Sequence, residues 1–251
     1  MQLITPRWDA PANVAAVSTT RTGGVSLGPY AGADGKGGLN LGIHVGDVPA
    51  HVAANRALLR GVLPAEPAWL NQVHGTTVVD AATAADVPHA DASVSSAVGS
   101  VCVVQTADCL PVLLCDSKGS VVGAAHAGWR GLAGGVLQAT VARMRQAGGK
   151  EIIAWMGPAI GPEAFEVGPD VVDAFVCGDA QARAAFKPYP GHSGKYLADI
   201  YALARGVLRS AGVERIWGGD CCTVGDAGRF YSYRRDKITG RMASLIWLKP
   251  A

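Results

Sequence analysis

The sequence has no long apolar run and no apolar leader. No stretch approaches the ~18–20 residues needed to cross a bilayer. Met1–Ala10 contains Pro6, Trp8 and Asp9 where a signal peptide carries its apolar core. We therefore expect a cytoplasmic protein with no membrane partner.

An excess of one charge is also lacking. The chain has 22 Lys and Arg residues against 20 Asp and Glu residues, which gives a formal net charge of +2. No basic run is interleaved with aromatic residues, as it is in surfaces that follow a phosphate backbone. This balance argues against nucleic acid as a partner.

The six cysteines form no C-x-x-C pair, which excludes structural zinc fingers and thioredoxin-type redox sites. The signature of the known zinc nucleobase deaminases, H-x-E followed by P-C-x-x-C, is absent as well. Disulfides are rare in a reducing compartment. Four cysteines lie among apolar or small residues, which predicts that they are buried packing residues. These four are Cys102, Cys115, Cys177 and Cys221.

The composition of the chain is that of a globular protein rich in short strands. Of its 251 residues, 49% are hydrophobic and 17% are charged, and this length fits one large domain or two small ones. Valine-rich runs without clean alternation predict β-sheets covered on both faces. Little helix separates the strands between Trp69 and Ala125, so we expect hairpins, a mixed sheet and an α+β fold.

The predicted helices are few and the predicted strands are short. The helices are Pro49–Arg60, with Asp47 as its N-cap, Leu132–Gln146, Val171–Val176 and Leu197–Ala211. The strands are Val14–Ser18, Trp69–Val73, Val101–Thr106, Pro111–Cys115, Ser120–Ala125, Ile152–Met156, Ile216–Gly218 and Ala243–Trp247. Two polar segments, Pro29–Gly38 and Lys187–Lys195, are predicted to be surface loops.

Reactive side chains lie at the ends of predicted strands in three places. His74 closes one strand before a glycine, Cys109 lies in a tight turn between two strands, and His126 precedes a glycine-bracketed loop. Two imidazoles and one thiolate form a catalytic zinc set, which leaves a fourth position open. The same residues also suit a Cys109 nucleophile with His126 as its base and Asp108 in support. The residue pattern alone leaves both interpretations open.

Seven stretches spread along almost the whole chain match one known family. They are Thr20–Ser26, Leu39–Asp47, Asn71–Gly75, Ala107–Pro111, His126–Gly131, Gly157–Gly161, and Phe230–Asp236 with the nearby Thr239-Gly240-Arg241. In these stretches the sequence resembles the YfiH-like family. Members of that family are variously labelled laccase-like multicopper polyphenol oxidoreductase, peptidoglycan editing factor and purine nucleoside phosphorylase.

The resemblance implies a single catalytic α+β domain over residues 1–251, built from mixed β-sheets with flanking helices. It implies zinc, with copper as the alternative metal, on His74, Cys109 and His126. It also implies phosphorolysis of adenosine and inosine, and of methylthioadenosine, to ribose 1-phosphate and free base, with adenosine deamination as a further activity. The expected partners are then a small-molecule nucleoside and phosphate.

Six further residues in the matching stretches are predicted to act in the site. The arginines suit bidentate recognition of phosphate, and they are Arg21, Arg130 and Arg241. Asn40 and His44 are predicted to contact substrate, and Asp108 to orient a ligand or to act as an acid or base.

Two other activities follow from the family's labels. One is a cysteine-type hydrolase that edits peptidoglycan precursors. The other is a laccase-like polyphenol oxidase, which fits less well because multicopper oxidases need many His and Cys ligands and this chain has six His.

Overall fold

The computed structural model describes residues 1–250 and has an α+β architecture. In chain order the strands are β1 (Leu3–Ile4), β2 (Val14–Thr19), β3 (Thr22–Ser26), β4 (Pro67–Ala68), β5 (Val78–Asp80), β6 (Ala92–Ser95), β7 (Val101–Thr106), β8 (Leu110–Asp116), β9 (Val122–Ala127), β10 (Ile152–Met156), β11 (Glu166–Val167), β12 (Phe186–Pro188), β13 (Tyr196–Ala198), β14 (Ile216–Gly218) and β15 (Met242–Leu248). The helices are α1 (Pro49–Arg60), α2 (Trp129–Gly134), α3 (Val136–Gln146), α4 (Pro169–Val176), α5 (Ile200–Ser210) and α6 (Tyr233–Asp236), with 3₁₀ turns at Gly28–Tyr30 and Ala180–Ala185.

Two mixed sheets form the centre of the molecule. The strand order is β1-β2-β15-β7-β4 in the first sheet and β14-β10-β8-β9-β6-β5 in the second. Neighbouring strands are antiparallel except in the pairs β4–β7, β5–β6 and β10–β14. A smaller antiparallel sheet has the order β11-β13-β12. The predicted α+β fold with mixed sheets and flanking helices is confirmed.

The central core lies between the two large sheets. Cys102 of β7 and Ile246 of β15 pack there against Leu113 of β8 and Ile153 of β10. Helices α3 and α5 pack on the other face of the second sheet, and Leu59 of α1 packs on the other face of the first. Strand β8 is therefore buried along its whole length, which is why its sequence is apolar from Leu110 to Cys115.

The helix predicted over Leu132–Gln146 is wrong as a single element. Gly135 adopts a φ of +101°, a left-handed conformation that side-chain-bearing residues rarely adopt, and it separates α2 from α3. The apolar stripe continues through the break, so the helical periodicity did not reveal it.

The beginnings of two other helices also differ from the prediction. The helix predicted over Leu197–Ala211 begins only after Asp199, whose carboxylate caps α5 by accepting a hydrogen bond from Ala202 N at 2.9 Å. Val48 rather than Asp47 occupies the N-cap of α1. The Asp47 carboxylate instead accepts hydrogen bonds from side chains of preceding segments.

The strand predicted over Trp69–Val73 is wrong, because the segment has a single bridge, from Asn71 to His89, and side chains replace strand pairing elsewhere in it. The Gln72 carboxamide binds the backbone N and O of Gln105 at 2.7 and 2.8 Å, and the last N–H of the segment donates to Asp91. The other predicted strands are present, with ends displaced by at most two residues. Eight short strands were not predicted, namely β1, β3, β4, β5, β6, β11, β12 and β13.

Three predictions about burial and loops need correction. Cys177 is exposed at the end of α4 and Cys221 is only half-buried, although Cys102 and Cys115 are buried as predicted. The loop predicted over Pro29–Gly38 has a buried beginning, since Tyr30 is 7% exposed. The polar segment after residue 186 begins in β12 before it becomes a loop. Within residues 1–250, no helix combines the length and apolarity needed to cross a membrane.

Candidate metal centre

Three donor side chains from separate segments converge where strand β8 begins and strand β9 ends in the second sheet. His74 lies in the turn before β5, Cys109 in the turn between β7 and β8, and His126 on β9. Their donor atoms all lie within 4.8 Å of one another, and the imidazole centroids are 4.7 Å apart. Zinc bound to such ligands holds neighbouring donors about 3.5 Å apart, so the separations exceed that spacing by about 1.3 Å at most.

The buried carboxylate of Asp91 joins two of these ligands. Its Oδ1 accepts hydrogen bonds from His126 Nδ1 at 2.8 Å and from His74 N at 2.9 Å. Its Oδ2 accepts from Gly75 N at 2.6 Å and from Val73 N at 3.2 Å. One carboxylate thus fixes the turn that carries His74 and directs Nε2 of His126 toward the ligand cluster, as carboxylates behind metal-bound histidines do.

The surroundings of the two histidines shift their pKa values in opposite directions. Burial disfavours the charged form of His126, but its hydrogen bonds to Asp91 and Cys109, with their charges, outweigh burial and raise its pKa to about 9. Burial and the charge of His126 lower the pKa of His74. Burial raises the pKa of Asp91, yet the hydrogen bonds from His126 and Gly75 leave it below its usual value.

The absence of a side chain at Gly128 leaves room for the ligand cluster. A Cβ on Gly128 would lie 2.6 Å from His74 Nδ1 and 3.1 Å from Cys109 Sγ. The donor set, its close spacing, the carboxylate behind one imidazole and this open cradle all fit a bound metal ion.

Two residues of the centre have a positive φ without being glycine. His74 has a φ of 59° and Asp108 has a φ of 89°, conformations that cost L side chains free energy and recur at functional sites. His74 is itself one of the three donors, and Asp108 lies in the turn that directs the neighbouring Cys109 toward the other two.

The carboxylate of Asp108 holds two elements together next to Cys109. Its Oδ1 accepts a hydrogen bond from Thr223 Oγ1 at 2.5 Å, and its Oδ2 accepts one from Arg234 N at 2.6 Å. The second bond places a negative charge at the first turn of α6. Both oxygens are thus used in tying the segment after β14 and α6 to the ligand turn.

A cavity of about 450 Å³ opens over the three donors. Its lining combines the apolar side chains of Ile160, Phe165 and Ile200 with the cationic side chains of Arg130 and Arg241. This volume and this mixture are typical of sites for small polar molecules.

The predicted substrate residues divide into two groups. Arg130, Arg241 and His44 line the cavity. Burial and the charges of Arg241 and Arg56 lower the pKa of His44, so its imidazole is neutral at pH 7. Burial lowers the pKa of Arg241, although an arginine remains charged at that pH.

The structure does not bring Arg21 or Asn40 into the cavity. The Arg21 guanidinium donates to the carbonyls of Ala31 and Ala227 at 2.8–3.2 Å and lies over the Tyr231 ring. Asn40 is fully buried, and its Oδ1 accepts from Arg241 N at 2.9 Å. Asn40 therefore positions the chain at Arg241, and Arg21 secures loops.

Several residues of the site were missed from the sequence. Asp91 and Gly128 act on the ligands, and Gln105, Phe165 and Arg234 line the cavity. Gly128 and Arg234 lie in stretches that match the family, whereas Asp91, directly before the buried β6, lies outside them.

Comparisons with known proteins agree over nearly the whole chain. The sequence profile of the family described as "Multi-copper polyphenol oxidoreductase laccase" matches residues 15–249. The chain is 54% identical over 250 residues to the protein named purine nucleoside phosphorylase YfiH of Escherichia coli K12, covering 98% of this chain and 99% of that one. It is 53% identical over 246 residues to purine nucleoside phosphorylase PA4543 of Pseudomonas aeruginosa, covering 98% of both.

Solved structures share the same fold. The crystal structure of Neisseria meningitidis protein NMB0706 is 52% identical and superposes with a TM-score of 0.92 over 100% of both chains. The YfiH protein of Bacillus licheniformis is 30% identical, with a TM-score of 0.84 over 94% of this chain and 93% of that one.

Proposed function

The chain belongs to the family described as multi-copper polyphenol oxidoreductase laccase, and from this premise, together with its similarity to the YfiH proteins, we propose that it is a zinc-dependent purine nucleoside phosphorylase. The observation that carries the proposal is the convergence of His74, Cys109 and His126 at a cavity with cationic and apolar walls. Relatives about half identical to this chain bear the name purine nucleoside phosphorylase.

Phosphorolysis makes two demands that the walls of the cavity can meet. The reaction breaks the bond between the base nitrogen and C1′ of the ribose and forms a bond from a phosphate oxygen to C1′. Arg130 and Arg241 supply two fixed charges for the phosphate dianion, and the neutral His44 offers a further polar contact. The departing purine would lie against the apolar side chains of Phe165 and Ile160.

His74, Cys109 and His126 would hold the zinc ion, which when bound supplies Lewis-acid chemistry at its open position. Asp91 orients His126 and the turn of His74. In this proposal Asp108 acts as a positioning residue, because both its oxygens are bonded to neighbouring elements. Cys109 acts as a ligand and not as a nucleophile.

We extend the proposal to substrate range. Adenosine, inosine and methylthioadenosine are the expected nucleosides, since the apolar wall contacts the purine that all three share. Adenosine deamination, in which water replaces the 6-amino group and ammonia leaves, is expected at the same centre without phosphate.

The test is product identification with zinc-loaded protein. Inosine with phosphate should yield hypoxanthine and ribose 1-phosphate, and adenosine without phosphate should yield inosine. Cys109→Ala should lose both zinc and turnover, whereas Cys177→Ala, at an exposed position outside the cavity, should keep both. Inosine that stays intact with phosphate and stoichiometric zinc would refute phosphorolysis.

A second candidate function rests on a specific contact. His126 lies between Cys109, whose Sγ is within 4.8 Å of its donor nitrogen, and Asp91, to which its Nδ1 is hydrogen-bonded at 2.8 Å, the order of groups in a cysteine hydrolase. His74 has no part in that arrangement. His74→Ala should therefore abolish a zinc-dependent activity and spare a cysteine hydrolase that edits peptidoglycan precursors. An activity that metal-free protein shows and that thiol alkylation blocks would identify the hydrolase.

The laccase-like alternative has less support. Within residues 1–250, His74, Cys109 and His126 are the one group of three or more metal-ligating side chains close enough to share an ion. Multicopper oxidation depends on several copper sites that pass electrons to oxygen.

A further inference from the structure

Most polar side chains around the cavity are already bonded within the protein. The oxygens of Asp108 hold Thr223 and α6, and the Arg234 guanidinium donates to the Glu166 carbonyl at 3.0 Å. Such groups stabilise the walls of the cavity. They have little bonding capacity left for a ligand.

The side chain of Gln105 is different. It lines the cavity and is 7% exposed, yet its Nε2 atom is buried and has no hydrogen-bond partner. Among the buried side-chain nitrogen and oxygen atoms of residues 1–250 that lack a partner, it is the one whose residue lines this cavity. A buried amide left unpaired destabilises a protein, and such groups in native structures commonly have a functional reason.

The main chain at Gln105 is held rigidly. The Gln72 carboxamide donates to Gln105 O at 2.8 Å and accepts from Gln105 N at 2.7 Å. On its other side β7 pairs with β15, where Gln105 is opposite Ala243. The carboxamide therefore extends from a fixed main chain at the cavity wall, with rotation about its own side-chain bonds as its main freedom.

A neutral carboxamide suits a neutral part of the substrate. The phosphate has the charged partners Arg130 and Arg241, so the purine is the part that a neutral donor and acceptor can recognise. Adenosine and inosine differ at C6, where one carries an amino donor and the other a carbonyl acceptor. A carboxamide is one of the few side-chain groups that pairs with either, because a half-turn exchanges its NH₂ and its oxygen.

We propose that Gln105 recognises the C6 substituent of the purine and is the reason one site accepts both adenosine and inosine. Its NH₂ donates to the 6-oxo group of inosine, and after a half-turn its oxygen accepts from the 6-amino group of adenosine. The inference rests on the proposed function for its substrate class, and it assigns specificity to a residue outside the metal centre.

The test compares Gln105→Glu with Gln105→Met in zinc-loaded protein. The carboxylate of the Glu variant, kept ionised at pH 8, only accepts hydrogen bonds, and the Met side chain does neither. Titration calorimetry with the free bases adenine and hypoxanthine avoids any need for turnover. Gln181→Glu, on an exposed turn, is the matched control.

Gln105→Glu should weaken hypoxanthine binding by more than about tenfold while adenine binding stays within about threefold. Gln105→Met should weaken both bases by about tenfold without lowering the melting temperature, since it removes an unpaired buried amide. Equal effects of Gln105→Glu on the two bases, or unchanged binding in Gln105→Met, would overturn the inference.

Steady-state kinetics separates this inference from the proposed function. The ratio of the KM values for inosine and adenosine does not depend on how much of a variant is folded, and it should rise at least tenfold in Gln105→Glu. An unchanged ratio in active protein overturns the role of Gln105 alone. If wild-type protein binds both bases but releases no base from inosine, phosphorolysis is refuted and the role of Gln105 in binding is not. If wild-type protein binds neither base, the role of Gln105 is overturned.

Discussion

The carboxylate of Asp91 provides a direct test of how this centre is built, because Asp91→Asn replaces one oxygen by NH₂ and removes the negative charge at nearly constant volume. Each oxygen of Asp91 accepts two hydrogen bonds: Oδ1 from His126 and His74, and Oδ2 from Gly75 and Val73. An asparagine keeps one acceptor oxygen and turns a donor NH₂ toward the other pair.

The magnitude follows from the two donors that lose their acceptor. A buried donor left unpaired costs about 1–3 kcal/mol, so the pair costs about 2–6 kcal/mol of unfolding free energy. That is a large part of the about 5–15 kcal/mol that stabilises a typical domain. If the amide oxygen stays on His126, the turn carrying His74 loosens, and in the other orientation His126 loses its partner. Either way zinc affinity should fall by roughly 10–100-fold.

The assay is competition for zinc against a chelator, together with urea unfolding of metal-free protein. Asp116→Asn is a matched control, because the Asp116 carboxylate is also buried and accepts from Ser120 N, Ser120 Oγ and Val121 N at 2.6–3.0 Å, outside the cavity lining. Both variants should be less stable, and only Asp91→Asn should bind zinc more weakly. Wild-type zinc affinity in Asp91→Asn, or an equal loss in Asp116→Asn, would refute this account.

Other positions should respond to substitution or pH in distinguishable ways. Gly128→Ala puts a Cβ 2.6 Å from a ligand nitrogen and should weaken zinc binding at least about tenfold in chelator competition, whereas Gly206→Ala, whose Cβ meets nothing within 4 Å, should leave zinc binding unchanged and raise stability by about 0.5–1 kcal/mol. The pKa of His126 is about 9 in the folded protein and ~6.5 in the unfolded chain. The stability that His126 contributes to metal-free protein is therefore complete below pH ~6.5 and is lost as the pH rises through about 9. A free energy of urea unfolding that stays constant or increases between pH ~6.5 and about 9 would contradict this. Arg130→Met should raise the KM for phosphate about tenfold with the melting temperature unchanged. Arg21→Met should lower the melting temperature and leave the KM for phosphate unchanged, because the Arg21 guanidinium is bonded to backbone carbonyls.

Local hydrophobic patterns predicted the main strands of the two large sheets well, because a buried strand requires a short run of apolar residues. Strand β7 was predicted with the ends it has, since an apolar run buried on both faces has few alternative readings. The break at Gly135 and the irregular segment at Trp69–Val73 were beyond such patterns. In the first, a glycine lies within a continuous apolar stripe, and in the second, distant side chains replace strand pairing.

The centre itself could be predicted only in part. Its three expected ligands stand out as reactive residues at strand ends beside glycine, and the structure brings them together. The partner of His126 could not be read from the sequence, because Asp91 meets it through the β6–β9 pairing and not through any spacing along the chain. Arg21 and Arg130 also look equivalent in sequence, each beside glycine or threonine in a matching stretch, and only the tertiary fold separates them.

The positive φ angles of His74 and Asp108 have a consequence for anyone who engineers this protein. Each such conformation costs about 1–3 kcal/mol, and glycine would relieve most of it. At Asp108 the same change would also remove the hydrogen bonds from Thr223 and Arg234, but at His74 a screen for heat resistance alone would reward replacing an expected metal ligand, and would discard the centre while improving the scaffold. Directed evolution of this fold should therefore keep zinc retention as a second criterion at every round.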